Sequence, residues 1–587
     1  MNMNVSTPGL PPAPAADVLV HGGNVLIMDD TDTVSDAVLI VNGRVAELGD
    51  AARAAAARRG VPQIDLAGRT AMPGLVDGHP HLMHLATRSA GLVDLHDVRD
   101  FDDIVERFRA KAATTPRGEW LVGTPIGAPF YFIERKYTDL PERSLPTRDV
   151  LDRASSQHPI FIAAWAPRLP NAVAFNSLGL QRVAITDDIP DRVCDVWLDK
   201  DFAGRLTGVL RGSVNNFYNF DPYWTQILKK LPPMYPTDML GPTRDAIRRY
   251  HADGVTTVYE AHNMTADQIC AYRALRADGT LRMRVKASME VEQYAMPPYQ
   301  PKTLQEFDAS LELARSLCDD GDDDLLRVTD ATLSEGGPCW SGLFHTLEPY
   351  KDPYGRATRG RQFISNDKKL RFARYCACHG IRANWVNGGP GDNQVCLDAL
   401  EPVAEELGIR ERHWMMQHGY VITPAQIERF ARLGFDFTTS MSFVWGKGDI
   451  IEERIGKEAL RDLVPLARLL RSGMNVGLGS DWGPKNAPFE HMEIAQNHRF
   501  GGSGFLNTSP DHGVSRLQAL QLWTRDVGRA LRWDGVGTLA PGAYGDLIVL
   551  DRDPLACPLN ELRHTKVLLT LLGGTVVHDA AALSTGP

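Results

Sequence analysis

Two histidines one residue apart, His79 and His81, end the segment GLVDGHPHL, and the apolar pair Leu75 and Val76 runs into them. Alternate side chains of a strand share a face, so both imidazoles can converge on one point and ligate a divalent cation. Two more residues of suitable type end apolar runs far downstream: His418 in HWMMQHG and Asp481 in NVGLGSDWGP. A cation held by such a set lowers the pKa of a bound water towards neutrality and polarises a carbonyl, which is the chemistry of hydrolysis. Each residue also has an ordinary reading: a histidine pair on a surface or in a core, a hydrogen-bonded core histidine at 418, a helix cap at Asp481. What separates these readings is whether the chain brings all four residues together.

The elements that would do so are eight strand-like runs at 71–79, 256–262, 283–291, 325–332, 381–387, 413–419, 435–441 and 475–481. Helix-like segments lie between several of them, including PAQIERFARLG and LRDLVPLARLLRSG, in which apolar residues recur at three and four. Eightfold alternation of strand and helix predicts an α/β fold, a (β/α)8 barrel of the TIM type, in which all strand ends face one cleft. His79 and His81 then end the first strand, His418 the sixth and Asp481 the eighth. Both chain ends are β-rich and punctuated by Gly, Asn and Asp, as in DAVLIVNGRVAELG and KVLLTLLGGTVVHD. Neither end is large enough for a core of its own, so residues 17–70 and 536–587 are expected to combine into a small β-sandwich, with 71–535 as the barrel. Residues from about 80 to 255 form a long excursion after the first strand, read as helical pieces and loops that shape access to the cleft.

Composition removes other classes. With 43 % hydrophobic and 23 % charged residues the chain is neither disordered nor a coiled coil. A net charge of −10, from 63 basic and 73 acidic residues, is wrong for broad phosphate neutralisation, so no nucleic-acid partner is expected. The eight cysteines include no Cys-x-x-Cys pair, and Cys376 and Cys378 point to different faces of a helix-like stretch. The acidic run 318–326 lacks the spacing of a calcium loop and reads as a solvated loop. The leader has neither basic n-region nor apolar run, and no stretch reaches the roughly 18–20 apolar residues of a membrane helix. A cytoplasmic protein acting on a small-molecule substrate, without a membrane partner, is the expectation.

The combination PGLVDGHPH, QHG, GLGSDWGP and GTLAPGAYGDLIVLDRDPL resembles the metal-dependent amidohydrolase superfamily, specifically amidohydrolase family 3 with its N-substituted formamide deformylases. The resemblance implies a distorted barrel carrying one or two divalent metals, usually zinc, and a homodimer is an assembly it allows. By this resemblance His79 and His81 are the metal-binding pair, and His418 is the sixth-strand ligand. Asp481 is the eighth-strand carboxylate that touches the metal and takes a proton from water. Two departures stand out. Relatives place a histidine at the fifth strand end, where this chain has Asn387 in WVNGGPGD. Many binuclear relatives bridge two metals through a strand-four lysine, yet no lysine occurs between Lys302 and Lys351. One metal per chain is therefore expected, with Asn387, Glu260, His262 and Glu290 or Glu292 as candidates to complete its ligands.

Aromatic residues in loops after or between the strands, Trp165, Trp340, Phe443, Trp445 and Trp482, either line a substrate pocket or pack the insertion onto the barrel. The expected function is metal-dependent hydrolysis of an amide C–N bond in a small, apolar or aromatic molecule, with metal-activated water and Asp481 as general base. The alternatives are lactone or ester hydrolysis, isomerisation or C–C cleavage on the same barrel, or a metal-free barrel that only binds a ligand.

Overall fold

A chain whose apolar runs are strand-length and separated by amphipathic helices can bury both faces of each strand only in a parallel sheet covered by helices. The computed structural model of the chain, which describes residues 13, 15–127, 133–165, 168–233, 238–295, 299–481 and 488–583, has that architecture. Eight parallel strands pair in chain order: β1 (Leu75–Asp77), β2 (Val255–Glu260), β3 (Arg284–Glu290), β4 (Leu326–Ser334), β5 (Arg382–Asn387), β6 (Met415–His418), β7 (Asp436–Thr439) and β8 (Val476–Leu478). Gly78 N donates to Leu478 O across 3.0 Å, so the last strand returns to the first and the barrel is nearly closed. Every residue of β2, β3 and β5 is buried.

The barrel interior is polar in layers. Beneath the cleft, Ser288 of β3 meets Thr332 of β4 at 2.6 Å, Asn384 of β5 donates to Thr332 at 3.0 Å and to Gln417 of β6 at 3.1 Å. Gln417 completes the chain by donating to Gly78 O at 3.0 Å. Lower down, Lys286 pairs with Asp330 at 3.1 Å and Arg382 with Asp436 at 2.8 Å. Such bonds offset the cost of taking these polar groups out of water.

Outside the barrel, helices begin at residues suited to the task. Thr423 caps Pro424–Arg432 and Gln426 bonds back to it, and that helix presents Ile427 and Phe430 to the core. The segment before β8 is broken at Pro465 into a 3-10 turn and the short helix Leu466–Arg471. Both chain ends meet in a second eight-stranded sheet, where Thr70–Pro73 runs antiparallel to Leu547–Leu550. Its core includes Val20, Val38, Leu547 and Leu571.

One expectation changes and another is refined. The excursion after β1 is not only helices and loops: Leu121–Gly123, Ile160–Ile162, Asn171–Phe175, Arg192–Val193, Val196–Lys200 and Leu206–Gly212 form a six-stranded sheet with cores on both sides. The acidic run is a largely solvated loop, as read, but two of its carboxylates are tied to the fold. Asp323 takes both a 3.0 Å and a 2.8 Å bond from Arg276, and Asp324 accepts from Arg44 at 2.8 Å and from Tyr544 at 2.6 Å. These bonds hold Asp323 and Asp324 in the fold, although the Asp324 side chain stays 43 % exposed and Asp319, Asp320 and Asp322 remain at the surface. Among the described residues no helix is long and apolar enough to cross a membrane.

Candidate metal centre

Three of the four residues singled out by spacing occupy left-handed backbone at the mouth of the barrel: His81 (φ 53°), His418 (φ 67°) and Asp481 (φ 43°). Each such conformation costs a non-glycine residue about 1–3 kcal/mol and persists only where neighbours fix it. The fixing groups are visible. Asp481 N donates to His79 O at 2.8 Å, tying the end of β8 to the end of β1. Asp77 accepts from His79 N at 3.0 Å, Ser480 N at 2.9 Å and Ser480 Oγ at 2.6 Å. Gly479 makes the approach possible, since a Cβ there would lie 2.4 Å from His79 N.

These contacts bring the four side chains to one point. The Nε2 atom of His79 lies 3.2 Å from that of His81 and 3.0 Å from that of His418. Asp481 Oδ1 stands 3.5 Å, 3.7 Å and 3.3 Å from the same atoms of His79, His81 and His418. Tetrahedral ligands at roughly 2.0–2.1 Å from a zinc ion are about 3.3 Å from one another, and the donor atoms of His79, His81 and Asp481, all within 4.8 Å of one another, are spaced for a single cation, with His418 Nε2 against two of the three. Protonation agrees. Burial and the neighbouring His418 and His81 hold His79 well below its ordinary value, and burial pushes His418 down to about 4 against the pull of Asp481. Burial alone would raise Asp481, but His418, His81 and His79 keep its carboxyl well below the ordinary range. Neutral imidazoles and an ionised carboxylate are the forms a cation binds.

The other candidates are placed differently. His262, just after β2, stands beside the cluster, its ring centre 5.4 Å from that of His81 and 5.5 Å from that of His418. Its Nδ1 is 3.2 Å from Glu290 Oε2 and 2.9 Å from Ser334 Oγ, and its Nε2 is 3.2 Å from the Tyr218 hydroxyl. A carboxylate only accepts, so the proton sits on Nδ1 and Nε2 accepts from Tyr218. Asn387 instead donates to Asn393 at 3.2 Å, and Glu260 accepts from Met83 N at 3.0 Å and Tyr272 at 3.1 Å. Glu292 is committed to Lys368 at 2.7 Å.

A cleft of about 740 Å³, including its open mouth, lies over the cluster. Trp165 and Trp340 line it, with Phe217, Tyr218 and Tyr420, none of the last three legible as functional from spacing. Phe443 packs its ring edge-on to His418 at 5.0 Å. Trp445 lies elsewhere, against Gly501, because residues two apart on the helix Ser442–Arg454 leave on different faces. Trp482 falls outside the described residues. Lys447, on that same helix, also reaches the cleft, and nothing in GKGD marks it.

Comparison with known proteins agrees with this architecture. The model of the amidohydrolase family matches residues 63–578. The N-substituted formamide deformylase of Arthrobacter pascens is 25 % identical over 593 aligned residues, which cover 96 % of this chain and 98 % of the deformylase. Protein LONG AFTER FAR-RED 3 of Arabidopsis thaliana is 23 % identical, covering 92 % of this chain and 88 % of that one. Among solved structures, a metal-dependent hydrolase of uncharacterized function from Pyrococcus horikoshii superposes with a TM-score of 0.69 at 19 % identity, over 93 % of this chain and 99 % of that chain.

Proposed function

This chain belongs to the amidohydrolase family, and from that premise we propose that it hydrolyses the amide C–N bond of a small molecule with an apolar or aromatic body. The observation that carries the reading is the convergence of His79, His81, His418 and Asp481 from three strand ends onto one point. These four residues would hold one divalent cation, zinc in this reading. Held there, the cation supplies acidity to water and polarises the scissile carbonyl. Among the described residues no second group of three such donors occurs, β4 ends without lysine, and its neighbouring Glu335 is engaged 2.7 Å from Lys369.

Asp481 lies where it can accept a proton from the attacking water and return it to the leaving nitrogen. Water oxygen bonds to the carbonyl carbon, the C–N bond breaks, and a carboxylate and an amine result. The one proton of the Tyr218 hydroxyl, retained because burial raises the group well above its ordinary value, goes to His262 Nε2 in the free cleft and would turn to the carbonyl oxygen of a bound substrate. His262, its proton fixed on Nδ1 by Glu290, orients that hydroxyl. Trp165, Trp340 and Phe217 exclude water around the apolar body of the substrate.

The likeness to an N-substituted formamide deformylase makes an N-substituted formamide the first substrate to try, and the aromatic lining of the cleft suits N-benzylformamide. Mass spectrometry of the products should show benzylamine and formate, and Asp481→Asn should lower kcat by about 10²–10⁴-fold. No amine release by metal-loaded protein, or an unchanged rate in Asp481→Asn, would contradict the proposal. Turnover of esters or lactones in place of amides would move it to the other hydrolytic chemistry.

A further inference from the structure

The lysines buried in this molecule share one habit, and one of them departs from it. Lys286 pairs with Asp330 at 3.1 Å, Lys368 with Glu292 at 2.7 Å and Lys369 with Glu335 at 2.7 Å. Lys447 is also buried, at 7 % exposure, yet among the described residues no carboxylate lies within ion-pair distance of its amine. Its Nζ sits instead in an aromatic box, 3.9 Å from the ring centre of Phe443, 4.2 Å from Tyr420 and 5.3 Å from Trp340. The box is built from three places: Phe443 one turn earlier on the same helix, Tyr420 just after β6, and Trp340 beyond the end of β4. The amine lines the same cleft as His81, His262, His418 and Asp481.

Removing an ammonium from water is costly, and ring faces return only part of that cost. Asp481 is the nearby charge, but it is committed to the histidine cluster, 3.3 Å from His418. The cleft therefore holds a positive charge whose counter-ion the described protein does not supply. We propose that Lys447 sets substrate specificity by binding a carboxylate of the substrate, so that the preferred substrates are amides carrying a carboxylate beside an apolar body. The charge fits a monoanion: one amine is available, and no arginine is among the described residues that line the cleft. The aromatic faces around the amine suit the adjoining apolar part. This deepens the amide-hydrolase reading above and rests on it for the reaction, though not for the binding.

The test uses a matched pair, N-formylphenylalanine and N-(2-phenylethyl)formamide, which differ only by the carboxylate. Binding to the metal-loaded full chain is measured by calorimetry for wild type, Lys447→Met, Lys447→Gln and Lys447→Arg, with His79→Ala as the metal-site control. Wild type and Lys447→Arg should bind the acid at least about tenfold more tightly than the neutral formamide, a difference of about 1.4 kcal/mol. That preference should vanish in Lys447→Met and Lys447→Gln and survive in His79→Ala. Equal binding of the pair by wild type, or no saturable binding of the acid in the millimolar range, overturns the proposal. So does a preference that persists without the lysine amine and disappears in His79→Ala, since the cation would then hold the carboxylate. An intact preference without turnover of either compound leaves Lys447 as assigned and removes the hydrolase reading instead.

Discussion

The wall of the cleft that contains Gly336, Gly337 and Pro338 is anchored by a buried ion pair, and breaking that pair should have a pH-dependent cost. Glu335 follows β4 and lies 2.7 Å from Lys369, with both side chains at most 1 % exposed. The carboxylate also accepts from Phe363 N at 2.7 Å, and Phe363 stacks 4.0 Å from Tyr294, whose hydroxyl donates to Gly336 O at 2.8 Å. Burial pushes the Glu335 carboxyl up to about 7 although Lys369 pulls it down. Because the folded value exceeds the unfolded 4.5, its contribution to stability is full below pH 4.5 and is lost as pH rises through about 7. Two and a half units at about 1.4 kcal/mol each amount to about 3 kcal/mol.

Lys369→Met leaves the carboxylate without its counter-charge. The added loss should be about 3–5 kcal/mol near pH 8, where Glu335 is ionised, and about 1–2 kcal/mol near pH 5, where it is protonated and only hydrogen bonds are lost. Thermal unfolding of wild type, Lys369→Met and the Glu335→Gln/Lys369→Met double variant across that range reads the difference. For so long a chain each kcal/mol moves Tm by about 1–2 °C. The double variant should recover most of the loss near pH 8. Equal losses at both pH values, or no recovery in the double variant, would refute the reasoning.

Gly479→Ala should act on the cluster from behind: the added Cβ meets His79 N at 2.4 Å and Asp77 Oδ1 at 2.9 Å, and backbone cannot yield cheaply. Destabilisation of about 1–3 kcal/mol and a 10–100-fold loss of metal affinity, measured by competition with a chelator, are expected; unchanged affinity would show that β1 and β8 do not fix the site. Asp546→Ala removes the partner of Arg284, bonded at 2.6 Å and 2.8 Å where the terminal sheet meets the barrel. About 3–5 kcal/mol of stability should be lost with kcat unchanged, and a fall in kcat at full metal loading would contradict that separation.

Much of this architecture is legible in the residues. Strand ends are marked where an apolar run meets a polar group, which is why His79, His81, His418 and Asp481 can be picked out across hundreds of residues. The barrel rule then places them together. What resists reading depends on tertiary neighbours. The strands of the inserted sheet are short, two to seven residues, too few for a periodic signal to emerge. Asn387 does end β5, yet its amide is claimed by Asn393, six residues on, and no pattern announces that bond. Glu260 ends β2 but turns to Met83 N and Tyr272. Lys447 sits among residues whose neighbours Phe443 and Trp445 read as loop aromatics, where the structure has the helix Ser442–Arg454, and Trp340 and Tyr420, from other strand ends, complete the apolar surroundings that Phe443 begins.

The central claim is that one divalent cation, held by three imidazoles and Asp481, drives hydrolysis. Metal-depleted protein titrated with Zn²⁺ while amine release from N-benzylformamide is followed tests it most directly. The account expects no activity without metal, a linear rise, and a break at one equivalent that His79→Ala abolishes. Full activity in metal-free protein, or uptake of zinc without any release of amine, would contradict it.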